Sequence, residues 1–178
     1  MLQLDLLQIS LADQMLYGFA RGELCLRLGV STALNGPGER NGSGCTPRGM
    51  HRVRARIGAG LPLAAVLRGR RWTGEVWSAE LHEQHPGRDW ILSRILWLAG
   101  CERGFNLLGD VDTFRRYIYL HGTPDSEPMG IPRSHGCVRL RNADMIALFE
   151  RVQVGCAVNI VETACPQWRD APLNKEHA

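Results

Sequence analysis

The chain has 178 residues, 44% of them apolar and 22% charged, with a formal net charge of +3. That length suits one domain with a sizeable core, and so small a charge argues for neither nucleic acid nor an anionic membrane as partner. No stretch reaches the roughly 18 uninterrupted apolar residues needed to span a bilayer.

The N-terminus has no basic region, and Asp5 interrupts its apolar run, so it does not read as a secretory signal. The expectation is a cytoplasmic chain, or a periplasmic one if a leader once preceded it. Leu2–Ile9, Gln14–Tyr17 and Leu24–Leu28 are short apolar segments between polar or glycine-containing turns, the pattern of a strand meander. Asn35–Gly44 is a glycine-rich loop, and Thr46-Pro47-Arg48-Gly49 turns out of it. In the strand that follows, Arg52, Arg54 and Arg56 alternate with Val53, Ala55 and Ile57, which gives it one charged face. Val66-Leu67 and Thr73–Trp77 read as further strands. The turn between them carries a second basic cluster, Arg68, Arg70 and Arg71.

Leu81-His82-Glu83-Gln84-His85-Pro86 holds two histidines at i and i+3. Zinc hydrolases need i and i+4, and Pro86 follows at once, so no metal is expected and none elsewhere in the chain. Trp90, Ile91, Ile95, Leu98 and Ala99 then make a broad apolar stripe. It predicts a helix over Asp89–Ala99 with Asp89 as N-cap and Gly100 as stop. Arg116–Leu120 predicts a strand that puts Tyr117, Tyr119 and His121 on one face. A second amphipathic helix is predicted over Ala143–Val152, with Asn142 as N-cap. Ala157–Val161 is a late strand, and from Pro166 the tail is polar and expected to be loose.

Six cysteines stand at 25, 45, 101, 137, 156 and 165, with no C-x-x-C pair. Five read as reduced, buried, small apolar residues. Cys137 differs by its neighbours. It sits in Ser134-His135-Gly136-Cys137-Val138-Arg139, and 16 positions upstream lies His121, in Tyr119-Leu120-His121-Gly122-Thr123. A thiol attacks as thiolate, and an imidazole can take its proton. His121 is the first choice as base and His135 the second. The Gly122 carbonyl can fix the imidazole tautomer. Gly136 leaves room for a substrate, and the amides of His135, Gly136 and Cys137 can converge on one oxyanion. Arg139, on the same side of an extended segment as Cys137, can take a carboxylate. A thiol activated in this way is expected to label fastest of the six near neutral pH, and uniform slow labelling would favour a domain that only binds.

Ser134-His135-Gly136-Cys137-Val138-Arg139-Leu140 resembles the active-site motif of the L,D-transpeptidase (YkuD-type) catalytic domains. Thr46-Pro47-Arg48-Gly49, Tyr119–Thr123 and Gly155–Ile160 are similar to further segments of that family. The resemblance covers roughly residues 2–162, and the expected organisation is a catalytic domain over 1–163 with a polar tail over 164–178. It implies a mainly β fold, a small closed barrel or sandwich carrying the two amphipathic helices. It implies Cys137 as nucleophile, His121 as base, Gly122 as orienting carbonyl, and Ser134, His135 and Gly136 as the turn and oxyanion hole. Arg139 and Tyr119 would sit against the substrate, and no cofactor is called for.

The implied partners are peptidoglycan stem peptides or muropeptides, cut between the L-centre of diaminopimelate and a terminal D-alanine. Water as acceptor gives an L,D-carboxypeptidase of murein recycling, which suits a leaderless chain. An amine as acceptor gives an L,D-transpeptidase. A non-catalytic wall-peptide binding module is the reading from another class, and a general cysteine protease is disfavoured by the motif.

Overall fold

A computed structural model describes residues 2–173. Its framework is a single sheet of ten strands. The first three form a meander, β1 (Leu4–Ser10), β2 (Met15–Ala20) and β3 (Glu23–Gly29). The next three are β4 (Gly49–Ile57), β5 (Ala65–Arg68) and β6 (Arg71–Val76). Then come a short helix α1 (Ala79–Gln84), β7 (Ile91–Gly100), β8 (Tyr119–Thr123) and β9 (Val138–Arg141). Helix α2 (Asn142–Arg151) leads directly into β10 (Val152–Val161), and a one-turn helix α3 (Pro166–Arg169) follows.

The strands run in the order β3-β2-β1-β10-β4-β7-β5-β6, with β8 on β7 and β9 on β8. The mainly β architecture expected from the sequence is the one observed, curled as half a barrel around α2. Leu7, Ile9, Leu96, Leu98, Leu120, Val138, Leu140, Leu148, Phe149 and Ile160 meet inside that curl, all essentially without solvent contact. Burial of this kind contributes about 25 cal/mol per Å² of apolar surface, and it is what holds the curl closed on the helix.

The predicted helix over Asp89–Ala99 is instead strand β7, the hub of the sheet. Ile95 pairs with Ile57 of β4 on one edge and His121 of β8 on the other, so β7 has neighbours on both sides. Its two faces are also both covered, Leu96 and Leu98 by the main core and Ile95 and Trp97 by a second cluster with Tyr119. A strand buried on both faces is a continuous apolar run, which periodicity cannot tell from a broad helical stripe. A bulge between Leu92 and Ile95, with Ser93 at φ 63°, adds to the likeness by breaking the alternation.

Two smaller expectations also change. Asn142 is the first residue of α2, and Arg141 is its N-cap. The Asn142 side chain accepts from Ser93 Oγ at 2.6 Å and donates to the Thr123 carbonyl at 2.8 Å, tying β7, β8 and α2 together. The C-terminal segment packs where a loose tail was expected. Trp168 sits edge-on to Phe19 at 4.9 Å, Arg27 donates to the carbonyls of Trp168 and Ala171, and Arg169 pairs with Asp13. Met1 and residues 174–178 of that tail lie outside the described residues.

Candidate active site

Parallel pairing of β8 with β9 sets the site. Leu120 lies opposite Val138 and His121 opposite Arg139. Partners in a ladder point to the same face, and successive residues to opposite faces. Leu120, Val138 and Leu140 therefore enter the main core. Tyr119, His121, Cys137 and Arg139 share the other face. There Cys137 packs against the cluster of Leu67, Ile95 and Tyr119, as does Trp97. Tyr117, expected in the same strand, precedes it at φ 57° and is exposed, although its ring still stands 5.8 Å from Trp97.

The turn that presents Cys137 is held from behind. Ser134 is buried, its Oγ donates to the Cys137 carbonyl, and the Gly136 N–H donates to that same Oγ at 3.2 Å. Thr46, from the Thr-Pro-Arg-Gly turn, is fully buried. Its Oγ1 donates to the Gly136 carbonyl at 2.9 Å and accepts from the Ala33 N–H at 3.0 Å. Gly136 has φ +130°, and a Cβ there would meet Ile118 Cδ1 at 3.2 Å and the Cys45 carbonyl oxygen at 3.3 Å. Only glycine makes this corner without strain. Arg116 braces the loop behind it, donating to the carbonyls of Gly38, Glu39 and Cys45. The Gly136 amide is thus engaged with Ser134, so of the three amides expected to meet an oxyanion this one is already occupied.

The His121 ring is buried, and its Nδ1 lies 2.8 Å from the Gly122 carbonyl oxygen. A carbonyl only accepts, so Nδ1 carries the proton and a neutral ring keeps its lone pair on Nε2. Cys137 Sγ accepts from the Tyr119 N–H at 3.4 Å and lies 3.5 Å from the Tyr117 carbonyl oxygen. His135, the second choice as base, is exposed and lines the cavity beside Arg139.

Electrostatics corrects one expectation. Burial pushes the Cys137 thiol up to about 12, outweighing the Tyr119 N–H bond and the guanidinium groups of Arg139 and Arg116, which favour thiolate. Burial likewise lowers the His121 imidazole, against the carbonyl of Gly122 and the carboxylate of Asp89. The resting pair is a neutral thiol and a neutral imidazole, because a buried ion pair must offset the desolvation of both charges. The low-pKa thiol expected from the motif is not what the fold builds at rest. The cysteine expectation changes too. All six thiols are free, but Cys101 is exposed and Cys45 half-buried.

Arg139 is nine-tenths buried and donates to Asp89 Oδ1 at 2.8 Å, with Glu127 at 3.8 Å. Asp89, expected as a helix cap, is therefore a site residue, and nothing in its local pattern distinguished it. In the same aromatic cluster, Arg70 lies over Trp97 at 4.8 Å and Tyr117 at 4.9 Å and donates to the Tyr119 hydroxyl at 3.3 Å. The second basic cluster in the sequence thus includes a residue of the aromatic wall. Among the described residues, no group of three or more His, Cys, Asp or Glu side chains converges to hold a metal ion. No helix among them is long and apolar enough to cross a membrane.

Comparison with known proteins agrees with this geometry. The family model described as "L,D-transpeptidase catalytic domain" (YkuD) matches residues 5–160. The probable L,D-transpeptidase YbiS of Escherichia coli K12 is 47% identical over 47 residues, 26% of this chain and 15% of that protein. The probable L,D-transpeptidase ErfK/SrfK of Salmonella typhimurium is 43% identical over a stretch of the same length and the same shares. These curated relatives are matched over only 15% of their own length. Among solved structures, L,D-transpeptidase 3 from Mycobacterium tuberculosis aligns with TM-score 0.54 and 14% identity, covering 88% of this chain and 60% of that one. The L,D-transpeptidase from Xylanimonas cellulosilytica aligns with TM-score 0.51 and 19% identity, covering 90% and 62%. At such identities these two structures speak for the fold.

Proposed function

From the membership of this chain, which belongs to the YkuD family of L,D-transpeptidase catalytic domains, we propose a cysteine enzyme that cuts the L-to-D bond between diaminopimelate and the terminal D-alanine of peptidoglycan stem tetrapeptides. The observation that carries the reading is the pairing of β8 with β9. It sets Cys137 and His121 on one face, with the His121 tautomer fixed by Gly122 so that Nε2 can accept a proton.

In this reading the peptide carbonyl on the L-centre settles against the Cys137 turn. His121 Nε2 takes the thiol proton as sulfur attacks, so charge separates only when the tetrahedral oxyanion forms. The amides of His135 and Cys137 receive that oxyanion, and Ser134 and Thr46 hold the turn rigid while they do so. The imidazolium then returns its proton to the departing amine of D-alanine, leaving a thioester on Cys137. Asp89 helps the imidazolium exist.

For the second half we propose water as acceptor, which makes the protein an L,D-carboxypeptidase of murein recycling. Water needs no binding site of its own and reaches any thioester open to solvent. Localisation in the cytoplasm is part of the same proposal. The names of the relatives, probable L,D-transpeptidases, favour an amine as acceptor, so the test separates the two. Purified protein is incubated with a stem tetrapeptide ending in D-alanine, with and without an added D-amino acid, and products are read by mass spectrometry. Tripeptide plus D-alanine is expected, with activity lost in Cys137→Ala. Exchange of D-alanine for the added D-amino acid would replace water by an amine. Turnover that survives Cys137→Ala would overturn the nucleophile.

A further inference from the structure

A cavity of about 180 Å³ is lined by His135 and Arg139, the residues two before and two after Cys137. One wall is the segment before β7, with His82, Arg88 and Asp89. The other is the loop after β8, with Glu127, and Arg139 reaches in from β9. Its charges balance, two guanidinium groups against two carboxylates. A pocket made for an anion alone would carry an excess of positive charge, and one made for a cation alone would not seat Arg139.

The charged groups are not equally engaged. Arg88 holds Glu75 through both nitrogens, at 2.8 and 3.3 Å, and stacks on Trp90. Arg139 gives one nitrogen to Asp89 and another to the Arg133 carbonyl at 3.5 Å, and its Nε–H has no acceptor among the described residues although the side chain is nine-tenths buried. Glu127 stands 3.8 Å from Arg139, at ion-pair rather than hydrogen-bond distance. The side chains of Asp89 and Glu127 remain 49% and 37% exposed, so both carboxylates are open to a ligand. His82 Nδ1 accepts the Trp90 indole N–H at 2.9 Å, which leaves the proton of a neutral ring on Nε2. The histidine segment set aside as a zinc motif thus contributes a fixed donor to the cavity.

We propose that this cavity is a subsite for an amino-acid zwitterion, with Glu127 and Asp89 taking the ammonium, and Arg139 and the His82 Nε2–H taking the carboxylate. The inference rests on the function proposed above and names what selects its substrate. The distal, D-configured centre of diaminopimelate bears both groups on one carbon. It is joined to the reacting L-centre by a trimethylene chain. Arg139 of β9 lies two residues beyond Cys137, roughly 7 Å of extended chain. That is a span which a three-methylene tether can bridge. A lysine side chain would supply only the ammonium, and a plain dicarboxylate only the second charge.

The test measures binding apart from turnover. Calorimetry on the Cys137→Ala protein compares three tetrapeptides ending in D-alanine. One carries diaminopimelate, one 2-aminopimelate (no distal ammonium) and one lysine (no distal carboxylate). The diaminopimelate peptide is expected to bind at least about tenfold tighter than either, the worth of one charge-assisted hydrogen bond. Adding Glu127→Gln should erase most of the preference over the 2-aminopimelate peptide and keep that over the lysine peptide. A merely structural role for Glu127 would weaken all three alike, and that result overturns the assignment. Equal affinities for the three peptides, or binding of none, overturn the subsite without any need for the Glu127 variant to fold. If selectivity is present but the wild-type chain releases no D-alanine, the proposed function falls and the subsite stands.

Discussion

At the residue scale, the main consequence of the site is that its proposed nucleophile is quiet at rest. The Cys137 thiol is pushed up to about 12 by burial, so near pH 7 almost none of it is thiolate. Cys101 is exposed. A time course of alkylation at pH 7, read by peptide mapping, should therefore label Cys101 ahead of Cys137, and the Cys137 rate should climb steeply as pH is raised. Rapid labelling of Cys137 at pH 7 would show that the imidazole already holds the thiol proton in the free protein. Slow labelling of Cys137 thus ceases to separate an enzyme from a binder, and D-alanine release takes over that task. The same residues show what a motif can and cannot say. That Cys137, His121 and Gly122 belong to one candidate site was legible because chemistry restricts residue type and order along one short stretch. Asp89 and Glu127 reach Arg139 from 50 residues before it and from a proline-rich loop, and a lone carboxylate in sequence has no distinguishing neighbour.

At the scale of elements, β7 and β8 decide whether the face that carries His121 and Cys137 exists at all. Gly122 supplies the carbonyl that holds His121, and it also lies where β8 presses against β7 and the start of α2. A Cβ there would stand 2.5 Å from Asn142 Oδ1 and 2.8 Å from the Leu92 carbonyl oxygen. The second contact is with backbone, so relief requires β8 to move away from β7. Gly122→Ala should lower stability by about 1–3 kcal/mol in urea denaturation. It should also cost far more turnover than substrate affinity, because the displaced carbonyl no longer sets the His121 tautomer. Unchanged stability with unchanged kcat would mean that β8 adjusts freely. The meander was readable from short apolar runs between polar or glycine-containing turns, and β4 from alternation, since its arginines Arg52 and Arg54 face solvent. β7 was not, because its period is hidden once both faces are apolar. What reveals it is tertiary: β4, β5 and β8 all pair with it, and no local pattern encodes three partners.

At the scale of the molecule, two buried histidines tie folding to pH. His51, at the start of β4, is 1% exposed. Its Nδ1 lies 2.9 Å from the Gly49 carbonyl oxygen and its Nε2 3.1 Å from Thr113 Oγ1. The ring is neutral, donating to the carbonyl and accepting from the hydroxyl. Through Thr113 it fixes the segment that delivers Tyr117 and Tyr119 to the site. Burial lowers its pKa from 6.5 to about 4. Above pH 6.5 both folded and unfolded chains hold it neutral, and its environment costs nothing. As pH falls from 6.5 towards 4, the unfolded chain takes up a proton that the native ring refuses, so stability is lost across that window, by about 3 kcal/mol. His121, also lowered by burial, adds a loss of the same sign below 6.5. Denaturation midpoints measured from pH 7 to pH 4 should therefore fall steadily. His51→Gln should be less stable than wild type at pH 7 yet show the flatter pH dependence of the two. A parallel fall in both proteins would place the acid sensitivity elsewhere in the chain.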